Sequence, residues 1–181
     1  VFDDADLDTA GEETIRSKFR NAGQTCVCAN RIYVQKGIAP DFARAFAERV
    51  KSLKVGYGFD EEVAIGPVID EQGMAKVQSH VEDAVAKGAT VLTGGRKKEV
   101  EGYKGHFYEP TVLAGVTAGM RVMQEETFGP VAPIVEFADE EEAIRLANDS
   151  RYGLAAYLFT DNIHRAIRVA ERLDYGIVGL N

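Results

Sequence analysis

The strongest constraint on this chain is the order of its local patterns. Short runs rich in β-branched and apolar residues, among them TVLT at residues 90–93 and VAPIVEF at residues 131–137, alternate with longer segments whose apolar residues recur every three or four positions. A strand followed by a helix of 10 to 15 residues has no tight hairpin to reverse it. The helix instead returns the chain to begin the next strand in the same direction. The pattern therefore predicts an α/β fold: a three-layer, open, mostly parallel sheet with helices on both faces.

Helical spacing predicts a first helix over residues 10–20, capped by Asp8 or Thr9, with Ile15 and Phe19 on one face. A strand is expected at 31–35, and then Pro40 opens a helix carrying Phe42, Ala45, Phe46, Val50 and Leu53. Proline suits that first turn because its missing N–H has no intrahelical partner. Residues 55–70 read as a glycine-containing loop, and 71–87 as a helix that stops at Gly88. Strands are expected at 90–93, 108–113, 131–137, 155–160 and 176–180. Between them, Asp139 caps a helix running to about Asn148, and Asp161 caps the helix in NIHRAIRVAERL. No repeat, low-complexity tract or Pro/Ser-rich linker divides the chain.

Composition excludes several functions. The 181 residues, 45% of them hydrophobic, suffice for one domain with a real core. A net charge of -8 without a basic patch disfavours nucleic acid. No apolar run approaches the roughly 20 residues that cross a bilayer, so no membrane partner is expected. The acidic start, VFDDADLDTAGEE, is unlike a signal peptide, and two cysteines do not make a secreted disulfide framework. The expected location is cytoplasmic.

Those two cysteines, Cys26 and Cys28, flank Val27 in NAGQTCVCANR. A zinc site needs more ligands, and His80, His106 and His164 stand at no ligand spacing, so no metal is expected. A disulfide between residues two apart requires a tight bend. Both thiols could be small buried hydrophobes, or one could be a nucleophile at a loop whose backbone N–H groups favour the thiolate. Composition does not choose among these.

GQTC followed by Arg31, with EETFGP at residues 125–130, resembles the aldehyde dehydrogenase family. The likeness extends over the whole chain, through IGPVID at 65–70, YEPTVL at 108–113 and YGLAAYLFT at 152–160. KFRNAGQTCVCANRIYVQ and the closing YGIVGLN are most similar to the succinate-semialdehyde dehydrogenases. The resemblance implies that residues 1–181 are the cysteine-bearing catalytic domain of a longer homo-oligomeric enzyme, a fragment without the dinucleotide-binding domain or oligomerisation strands. It implies NAD or NADP as cofactor and a small semialdehyde as substrate.

It also implies roles. Cys26 is the nucleophile; Glu126 holds the nicotinamide ribose and Phe128 packs near the nicotinamide. Arg20 reads the substrate's distal carboxylate, for which its planar fork is suited. Cys28 is a redox partner able to close a reversible disulfide with Cys26. Each has a plainer reading: Glu126 as a solvated acid, Phe128 as core, Arg20 as a helix-terminal cation, Cys28 as packing. Glutarate semialdehyde is an alternative substrate, and a non-catalytic interaction domain is the alternative from another class. Gly56-Tyr57-Gly58 lacks the third glycine of a dinucleotide fingerprint and is not read as one.

Overall fold

A computed structural model describes residues 1–181. It contains six α-helices: α1 (Leu7–Phe19), α2 (Ala39–Lys51), α3 (Glu71–Ala86), α4 (Arg121–Gln124), α5 (Glu140–Asn148) and α6 (Ile163–Arg172). Its eight strands are β1 (Ile32–Gln35), β2 (Lys54–Val55), β3 (Val63–Ile65), β4 (Thr90–Thr93), β5 (Thr111–Ala114), β6 (Val131–Phe137), β7 (Ala155–Leu158) and β8 (Ile177–Leu180). A 3-10 turn, Arg20–Gly23, joins α1 to the cysteine loop.

The central sheet has the order β1-β6-β5-β4, parallel except for the edge strand β4. β6 is central and buried at every position but Glu136, as a strand covered on both faces must be. One face packs Ile32, Val34, Val112, Ala132 and Ile134 against Phe19 of α1 and Phe42 and Phe46 of α2. The other packs Leu113, Val131 and Val135 against Met74, Val77 and Val81 of α3. The three-layer, mostly parallel architecture is thus the expected one. The strands do not form one continuous sheet, however. β7 and β8 pair in parallel by themselves, beneath α5 and α6, and β2 and β3 form a second small parallel pair.

Local differences have local causes. α1 begins three residues before the predicted start because Asp6, not Asp8 or Thr9, caps it: its carboxylate accepts from Thr9 N at 2.7 Å. Asp8 is instead drawn to Arg49 of α2. α6 is capped by Asn162, whose Oδ1 accepts from both His164 N and Arg165 N, rather than by Asp161. On α2 the buried face uses Ala43 and Ala47, leaving Ala45 exposed, and Leu53 lies beyond the helix end. The 55–70 segment is not all loop, since it contains β3. Asp70 and Asp139 cap α3 and α5, the latter as expected.

Candidate active site

α1 ends at Phe19, and the chain then takes three consecutive left-handed residues, Asn21 (φ 50°), Ala22 (φ 55°) and Gly23 (φ 74°). Asparagine and glycine tolerate this region; Ala22 does not do so readily and is held there by burial. The turn brings Gly23 so close to the Phe128-Gly129-Pro130 turn that a Cβ on Gly23 would sit 2.1 Å from the Gly129 carbonyl oxygen. Only glycine permits this approach. In this way two motifs about a hundred residues apart in sequence come to share one site.

Gln24 fastens the next residue of the loop. Its amide donates to the carbonyls of Asn21 (3.2 Å) and Pro67 (3.1 Å), and its Oε1 accepts from Ile69 N (2.9 Å). The IGPVID stretch therefore buttresses the cysteine loop. On the far side, Tyr157 of β7 donates to the Val27 carbonyl at 2.9 Å. Between these two anchors Cys26 is exposed and its backbone N–H makes no hydrogen bond within the chain. Cys28 is the less open of the two. It is buried, with Sγ 2.9 Å from Thr25 Oγ1 and 3.6 Å from the Arg20 carbonyl. Both thiols are free.

Cys26, Cys28 and Glu126 line one cavity of about 360 Å³, whose walls are otherwise mostly apolar and include Tyr157 and Met123. Glu126 makes no hydrogen bond or ion pair, so both carboxylate oxygens remain available to a ligand. That suits a pair of ribose hydroxyls, which are donors in need of a fixed acceptor. Its neighbour Glu125 is fully committed: Arg121 grips both oxygens at 2.9 and 3.1 Å, and with His80 holds the carboxyl down at about 2. Glu125 and Glu126 are the only carboxylates lining the cavity.

Phe128 and Arg20 do not line it. Phe128 stands beside it on a strained turn, with φ 54° and the residue 39% exposed. Arg20 begins the 3-10 turn with its guanidinium exposed and unpaired. Sequence reasoning missed Lys18 altogether. It is fully buried, its ammonium has no hydrogen-bond partner, and the nearby Cys28 and Glu126 only partly offset that burial. The neighbouring aromatic in KFR could have signalled it only to a reader who already knew that this turn of α1 faces inward. Ligand spacing also gives no sign of His80, a buried ring used as a hydrogen-bond bridge.

The model of the aldehyde dehydrogenase family matches residues 1–181. Over the whole of the chain it is 52% identical to succinate-semialdehyde dehydrogenase [NADP(+)] GabD of Escherichia coli K12, covering 37% of that protein. It is 54% identical to a glutarate-semialdehyde dehydrogenase of Pseudomonas putida, again covering 37%. The crystal structure of a succinate-semialdehyde dehydrogenase from Burkholderia pseudomallei superposes with a TM-score of 0.95 at 53% identity, over 99% of this chain and 37% of that one. The chain thus spans a little over a third of the length of the relatives it matches.

Proposed function

Because this chain belongs to the aldehyde dehydrogenase family, we propose that it is the cysteine-bearing catalytic part of a longer enzyme that oxidises succinate semialdehyde to succinate. The observation that carries this reading is the meeting of an exposed thiol, Cys26, and an unpartnered carboxylate, Glu126, in one cavity. The Cys26 thiolate attacks the aldehyde carbon. A C–S bond forms, and the oxygen takes up the negative charge beside the free backbone N–H of Cys26. A bound NAD or NADP supplies the acceptor for the hydride that leaves the tetrahedral carbon. Cys26 is left acylated as a thioester, which water cleaves to release the acid and the thiol.

Glu126 holds the ribose of the dinucleotide, and Phe128 packs beside its ring. Arg20, free of intramolecular partners, receives the distal carboxylate of the substrate. Cys28 is the redox partner of Cys26; because its thiol is buried and engaged by Thr25 Oγ1, closing the disulfide requires the loop to give up that contact. The relatives include both a succinate- and a glutarate-semialdehyde dehydrogenase, and one methylene is worth only about 1–3 kcal/mol of discrimination. The full-length enzyme is a homo-oligomer of the cytosol in this reading. Two free thiols suit a reducing compartment, and no helix is long and apolar enough to cross a membrane.

The test is an assay of the complete polypeptide that contains this chain, with both semialdehydes, an uncharged aldehyde and each dinucleotide. Reduced nicotinamide should accumulate fastest with succinate semialdehyde and be abolished by Cys26→Ala. Equal rates with charged and uncharged aldehydes would remove Arg20 from the substrate site. No turnover with any of them would leave the chain as an interaction domain that kept the fold.

A further inference from the structure

His80 lies on α3 at 0% exposure, and both of its ring nitrogens are engaged by the motif that carries Glu126. Nε2 is 3.2 Å from Glu125 Oε2, and Nδ1 is 3.0 Å from Thr127 Oγ1. The two partners are the residues immediately before and after Glu126. Glu125 is ionised and can only accept, so Nε2 carries the proton and Nδ1 receives the Thr127 hydroxyl. One rigid ring thus pins both sides of the Glu126 residue to a helix. A second contact from the same helix extends the grip, since Val77 fits the space over Gly129 so closely that a Cβ there would meet its methyl at 2.3 Å.

A buried histidine with two side-chain partners could simply satisfy itself in the core. The arrangement here is more particular than that. Glu125 already has both oxygens on Arg121, so it does not need His80 for neutralisation. The residue between the two partners makes no hydrogen bond or ion pair of its own, and it lines the cavity shared with Cys26. Holding a flexible acid by its neighbours orients it without occupying its oxygens. We infer that His80 is a positioning residue that sets Glu126 for the dinucleotide ribose, an inference that rests on the role proposed above for Glu126.

In the complete polypeptide, dinucleotide affinity is measured directly by fluorescence titration with NADPH and NADH, without aldehyde. His80→Leu should weaken binding about tenfold, the scale of losing oriented hydrogen bonds. KM for the aldehyde and the rate at which iodoacetamide labels Cys26 should stay unchanged. His80→Gln, whose amide can still donate to Glu125, should recover most of the affinity. Thr127→Val, nearly isosteric, should show an intermediate loss and carries the test if His80→Leu does not fold. A merely structural histidine would lower the unfolding temperature while leaving dinucleotide affinity intact, and that result in a folded variant overturns the inference. Equal loss of aldehyde KM and of Cys26 labelling also overturns it, because the effect is then general. A wild-type protein that binds neither dinucleotide overturns the reading of Glu126 itself, and the positioning role with it.

Discussion

Lys18 shows how far a single residue can depart from what its type suggests. Burial on α1 pulls its ammonium down from the ordinary 10.5 to about 8, against the opposing pull of Cys28 and Glu126. Between those two values the unfolded chain holds a proton that the folded chain has lost. Stability therefore rises with pH from about 8 to 10.5, and below that window the folded state bears the whole penalty. A shift of this size corresponds to about 3 kcal/mol. Lys18→Met keeps the length of the side chain and removes the charge, so it should stabilise the 181-residue chain at pH 7 by up to about that amount. The gain should vanish by pH 10.5. Urea midpoints of wild type and variant at both pH values give the answer as a difference, which cancels the titration of Tyr33 and Tyr108 near the top of the window. An equal gain at both pH values would mean that Lys18 is destabilising for its shape rather than its charge. Cys26 and Cys28 teach a similar lesson: identical residues two apart end with one thiol open to the cavity and the other buried against Thr25.

At the scale of elements, the decisive piece is the turn between α1 and the cysteine loop. Gly23 has φ 74°, and its missing Cβ is what lets the Gly129 carbonyl approach. Gly23→Ala should destabilise the fold by about 2 kcal/mol or more, combining left-handed strain with a clash against backbone that cannot rotate away. Gly37→Ala is the control, because a Cβ there meets nothing within 4 Å and its φ is not positive. Denaturant midpoints should separate the two clearly, and similar midpoints would show that the two turns are not packed as described. The larger elements were legible from sequence where one face is dry. β6, α3 and α5 fall where the period predicts them, because burial selects their apolar positions, and the predicted cap Asp139 has no competing partner. Asp8 and Asp161 misled because a cap depends on which oxygen reaches the free N–H groups, and Asp6 and Asn162 reach them first.

For the whole molecule, the cavity itself limits what the chain can do unaided. Thioester cleavage needs a base near neutral pH, and Glu125 and Glu126 are the only carboxylates present there. Glu125, held at about 2 by Arg121 and His80, is far too weak a base, and Glu126 is assigned to the ribose. Glu13, on α1, is paired with Arg16 at the helix surface. The isolated chain is therefore expected to fold, to label at Cys26 with an aldehyde or alkylating agent, and to show no turnover. Incubation with succinate semialdehyde and each dinucleotide, followed by absorbance and by mass spectrometry of Cys26, measures both halves of that statement. Turnover lost on Cys26→Ala would show that the chain carries a base and a dinucleotide site of its own. Sequence alone determined the alternation of strands and helices, and with it a parallel sheet covered on both faces, because period and burial are local consequences of where the apolar side chains stand. The GQTC and EETFGP motifs pointed to the aldehyde dehydrogenase family by resemblance, as residue types in a fixed local order. Tertiary structure alone decided that Gly23 would touch Gly129, that His80 would bridge Glu125 and Thr127, and that Lys18 would be sealed in. Each of these depends on contacts between segments distant in the chain, which no local pattern encodes.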